Sequence, residues 1–217
     1  MIAVLLRRLL LVASPLALSV VLWWHPAGGE NVYEGVRGDV GAWLFVHTAL
    51  LLFIPLLGIG AYLLLSGLDG RAATVSRAAL VFFLVFYTAY EVTVGLATGV
   101  LVEYADGLPA AEQAAVAGAI QELNQNAVLG DPISVALLLG FFGWVVAMVA
   151  AARAFRRAGA GWPLTLLVGL AAAFAVHPPP VGPAGLVCFA AAAVLVERAR
   201  AREPRVSASA ALAGEAL

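Results

Sequence analysis

Six stretches of this chain, near residues 4–24, 42–66, 78–101, 133–153, 160–177 and 181–197, are almost wholly apolar and are separated by polar segments. A hydrocarbon layer about 30 Å thick takes about 20 apolar residues of helix to cross, and backbone inside it must satisfy its own hydrogen bonds. Each stretch is therefore predicted to be a spanning helix. The expected fold is all-α, a polytopic bundle of six spans that forms one domain over residues 1–205. Composition agrees: 63% of residues are hydrophobic and 12% charged, where soluble proteins carry about 25% charge. The last two stretches are nearer to about fifteen strongly apolar residues than to twenty, so a short tilted or re-entrant hairpin is the alternative there.

Arginine placement gives an independent topology. All twelve basic residues are arginine, and eleven of them, all but Arg37, flank the even-numbered connections or the two ends of the chain. Short cytoplasmic loops carry the positive excess, so an even number of spans with N- and C-termini cytoplasmic is predicted. The opening MIAVLLRRLLLVASPLALSVVLWWHP also fits a cleavable leader, but Trp23 and Trp24 close the run as an interfacial belt would, which favours a retained helix.

Two connections are expected outside. HPAGGENVYEGVRGDVGA reads as a glycine-rich loop of net negative sign, with Glu30, Glu34 and Asp39 set against Arg37. In the longer one, Pro109 and the spacing of Val116, Ile120, Leu123 and Ala127 predict a short amphipathic helix over about 109–126, lying on the outer face. It carries no basic residue, so it is expected to pack on the mouth of the bundle rather than on anionic lipid. Residues 206–217 read as a disordered cytoplasmic tail.

Glu91 is the outlier. It sits midway along the third span, where an ionised side chain costs about 2.5–3.5 kcal/mol on insertion scales, so it is expected to face the bundle interior. Tyr87, Gly95 and Gly99 share its helical stripe, and Gly95 and Gly99 make a GxxxG step suited to close helix packing. His47 in the second span falls at a similar depth. A ligand or proton site from Glu91, Tyr87, Tyr90 and His47 is the expectation. His25 and His177 close the first and fifth spans on the same side; with His47 and Asp39 they are candidate metal ligands, although no two share a short helical spacing, and the plainer reading makes them helix-end residues.

Other chemistry is absent. The chain has no lysine, hence no Schiff-base or P-loop lysine, and no HExxH, GxSxG, CxxC or phosphate-binding glycine loop. Its single cysteine, Cys188, makes no disulfide framework, and a net charge of −1 offers no nucleic-acid surface. The stretches GAWLFVHTALLLFIPLLGIGAYLLL and RAATVSRAALVFFLVFYTAYEVTVGLATGVLV give the chain the look of the uncharacterised small multipass membrane proteins of high-GC bacteria, which it resembles in general character. That resemblance implies an inner-membrane protein and carries no activity. Three functions fit: binding or transport of a small ligand or proton through the Glu91 site; a structural or partner-binding subunit, homo-oligomeric or joined to a membrane partner; and a metal- or haem-dependent redox protein using the histidines. An enzyme is not the leading expectation, nor is a cofactor.

Overall fold

A computed structural model describes residues 2–26 and 31–214, with side chains for all of these except residues 3, 4 and 202–214. The described chain is helical, without strands. Helix α1 spans Leu5–Trp24, α2 Val32–Arg37, α3 Val40–Leu64, α4 Arg71–Ala105, α5 Ala110–Asn124, α6 Val135–Arg157, α7 Trp162–Ala175 and α8 Val181–Gly214. Local chemistry explains the starts. Asn31, Asp39 and Ser134 each accept a backbone N–H of the first turn that follows, and Pro109 holds the N-cap position of α5 without a side-chain hydrogen bond. Of the loop expected before the second span, residues 27–30 lie outside the described residues, and Val32–Arg37 are helical.

Five helices are long and apolar enough to cross a membrane: α1, α3, α4, α6 and the Val181–Ala201 part of α8. The expectation of six is corrected at residues 160–177. There α7 has nine α-helical residues followed by five in a 3-10 helix, a rise of about 24 Å, and the run His177-Pro178-Pro179-Pro180 stops it. The chain nonetheless passes end to end, since Arg156 stacks on Trp162 at one limit of α7 while His177 meets His25 at the other. The last helix is described as far as Gly214, and residues 215–217 lie outside the described residues.

One end of the bundle gathers arginines. Arg7 pairs with Glu197 at 2.9 Å and donates to the Leu63 carbonyl, Arg200 donates to Glu197 and to the Leu64 and Ser66 carbonyls, and Arg77 donates to Leu65 and Leu68. The opposite, histidine end is closed by α2 and α5. Tyr33, Val36, Trp43, Val102, Ala105 and Ile120 form a small core there, and Asn124 donates to Thr98 Oγ1. Helix α5 packs on this end through Val116, Ala117 and Ile120, whereas Ala127, expected on the same face, lies exposed beyond the helix. Between the ends, α6 lies on α4 because Gly140 and Gly143 leave room for the backbone of Tyr87 and Phe83; a Cβ at either would come within 2.6 Å of it. Phe83, Trp144, Phe174 and Phe189 fill the middle.

Candidate functional site

The middle of α4 is not regular α-helix. Phe83–Tyr87 and Glu91–Ala97 are π-helical, a widening that most often occurs as single turns and frequently at functional sites. Glu91 opens the second of these segments. It is only 2% exposed and points into the bundle.

Imidazoles from three different segments gather there, and two of them stand beside the carboxylate. His47 Nε2 stands 3.7 Å from Glu91 Oε2, and His177 Nδ1 stands 3.6 Å from Glu91 Oε1. Both separations exceed hydrogen-bonding distance, and Oε1 is a buried oxygen with no partner. His25 joins through His177, with their Nε2 atoms 3.1 Å apart, and its ring lies 5.2 Å from that of His47. The hydroxyl of the fully buried Tyr87 lies 2.8 Å from His177 Nδ1 and 3.3 Å from the Ala175 carbonyl.

The donors and acceptors can be assigned by elimination. A carbonyl only accepts, so His25 Nδ1 donates to Pro26 and His47 Nδ1 donates to Trp43, each at 2.8 Å. In neutral rings this leaves Nε2 of both histidines as acceptors. His177 Nε2–H then donates to His25, and Tyr87 O–H donates to His177 Nδ1. The result is a directed chain, Tyr87 to His177 to His25 to the Pro26 carbonyl, that runs from beside Glu91 to the end of α1. Burial holds His25 and His177 below the ordinary histidine range, with repulsion from His25 and His47 adding to the effect on His177, which is consistent with neutral rings.

Packing fixes this geometry. Trp43 stacks on His47 at 4.3 Å and donates from its indole to the Gly95 carbonyl at 2.7 Å. A Cβ at Gly95 would enter the His47 ring, and one at Gly99 would meet Leu44 and Trp43. The GxxxG step therefore serves a contact within the chain, between α4 and α3. Tyr90, expected beside Glu91, is half-buried and makes no hydrogen bond to the cluster among the described residues. Asp39 is not part of it either; it caps α3. Among the described residues, no three His, Cys, Asp or Glu side chains are arranged to hold a metal ion. Sequence reasoning missed Trp43, and it left His25 and His177 at helix ends. The one signal that could have joined them is that all three histidines fall on the same side. No family model matches this chain, and neither does a curated protein or a solved structure.

Proposed function

We propose that the protein is an integral membrane protein whose Glu91 cluster binds a proton exchanged with the histidine end of the bundle. The observation that carries this reading is the unpartnered, buried Glu91 Oε1 at the inner limit of the Tyr87–His177–His25 chain. A buried acceptor without a donor is costly, and a proton is the smallest group that relieves it. His177 Nδ1 stands 3.6 Å from Oε1, so the carboxyl lies beside the inner end of the hydrogen-bonded chain. Release leaves a carboxylate flanked by His47 and His177, either of which can supply the compensating charge.

The binding is one-sided. Toward the arginine end, Tyr87 abuts Phe83 and Phe174 and then Trp144, with Leu50 and Ile54 beside them, and these buried apolar residues offer no relay. Exchange with one face, rather than conduction through the bundle, is what this arrangement supports. Placement of both termini in the cytoplasm rests on the gathering of arginines at one end.

Infrared difference spectra of the purified chain on a pH step test the reading. A protonated-carboxyl band that titrates in the wild type and disappears in Glu91→Gln, with the fold retained, is expected. A wild type without such a band, or a band that survives the substitution, would reduce the cluster to a helix contact.

A further inference from the structure

At the arginine end, α4 begins where α6 finishes, and exposed guanidinium groups from both converge on one hollow. Arg71 of α4 and Arg153 and Arg157 of α6 line a cavity of about 270 Å³, together with Ala72, Val75 and Ala150. Among the described residues, none of these three arginines makes a hydrogen bond or ion pair, whereas Arg7, Arg77, Arg156 and Arg200 all do. Three like charges around one hollow repel each other unless an anion lies among them. The first turn of α4 adds to this attraction, because its N-cap is Gly70 and no side chain satisfies its leading amides. Asp69 does not line the hollow.

The hollow opens along the seam between the two helices. Val75 also borders a second cavity of about 330 Å³, walled by Ala78 and Phe82 of α4 and by Phe142 and Val146 of α6, and almost wholly apolar. From Arg71 to Phe82 is about 17 Å of helix. A cationic pocket and an apolar trough thus lie along the same two helices and share Val75 as a wall.

We infer that this seam binds an anionic phospholipid, its phosphate held among Arg71, Arg153 and Arg157 and an acyl chain laid in the trough toward Phe142. A free phosphate would engage the arginines but leave the trough unused, and the trough is what selects a lipid as the source of the anion. The inference rests on the membrane reading and is independent of Glu91.

The test is native mass spectrometry of the full chain, stripped of lipid in detergent and offered phosphatidylglycerol, phosphatidylcholine or inorganic phosphate. Phosphatidylglycerol should be retained in preference to phosphatidylcholine. Each single Arg→Gln change at 71, 153 or 157 should weaken it roughly fivefold, the worth of one arginine near an anionic surface. Ala78→Phe, an exposed position in the trough, should also weaken it while keeping all three arginines, and Arg8→Gln with Arg198→Gln should not. Equal retention of the two lipids, or insensitivity to the triple arginine change, would overturn the inference. Inorganic phosphate bound as tightly as lipid, with Ala78→Phe neutral, would overturn it as well. The Glu91 carboxyl band should titrate unchanged in every one of these variants, so loss of lipid binding and loss of the proton site are told apart.

Discussion

The two ends of the bundle hold their charged groups in opposite ways. At the arginine end, Glu197 is met by Arg7 and Arg200 at 2.9 and 3.1 Å, at positions partly open to solvent. At the histidine end, Glu91 is sealed from solvent, has no arginine, and has only imidazoles 3.6–3.7 Å away. The first arrangement ties the first and last helices together with permanent charges. The second relies on groups that can be neutral, which is the only inexpensive way to keep titratable side chains in an apolar interior. A fixed charge thus suits a clasp, and a titratable one suits a site.

That contrast can be broken most severely at Gly95. Gly95→Leu would drive side-chain atoms into the His47 ring, with an expected loss of about 3 kcal/mol, the upper end of the range for overpacked interiors, seen as a lower unfolding midpoint. A midpoint equal to the wild type would mean that α3 and α4 do not pack so closely. Next is Tyr87→Phe, which removes the donor to His177 Nδ1 and should cost about 1–3 kcal/mol while slowing the Glu91 titration; unchanged kinetics would remove Tyr87 from the chain.

Acidity should separate the two ends further. Burial holds His25 and His177 below the ordinary histidine range in the folded protein, so below about pH 6.5 the unfolded chain takes up protons that the folded one refuses. Stability should be fully present above that value and fall as the pH drops through and below it. Thermal unfolding of the wild type and of His25→Gln across this window checks the sign, since the variant should show a shallower decline; stability rising on acidification would refute the neutral-ring assignment. The smallest effect belongs to the clasp. Glu197→Gln should cost about 1 kcal/mol or less and less still in high salt, because its partners are partly exposed. A larger, salt-independent loss would make the clasp resemble the buried site.

The fold was legible where it depended on the solvent. The apolar runs give helices α1, α3, α4, α6 and α8, and Pro109 and the spacing of Ile120 give α5, because burial from water leaves a periodic trace in the chain. The short α7 was misjudged, since WPLTLLVGLAAAFAV counts as apolar whatever its length once the proline run and the 3-10 turns have trimmed it. The site was half legible. An acid in an apolar run points to Glu91, and helical spacing attaches Tyr87 and the two glycines, whereas Tyr90, expected at the same site, makes no hydrogen bond to it among the described residues.

By itself, then, the sequence determined an all-helical chain, which side of it collects arginine, and which carboxylate must turn inward, all of them consequences of the transfer cost of single residues or segments. Only the tertiary structure decided that His47 and His177, distant in sequence, close on Glu91 and that His25 joins them through His177. It also decided that Trp43 orders His47, and that three arginines share one hollow at the start of an apolar seam. These are contacts between helices, set by glycine-permitted approach and by the rotation of each helix about its axis, and no local pattern in the chain encodes them.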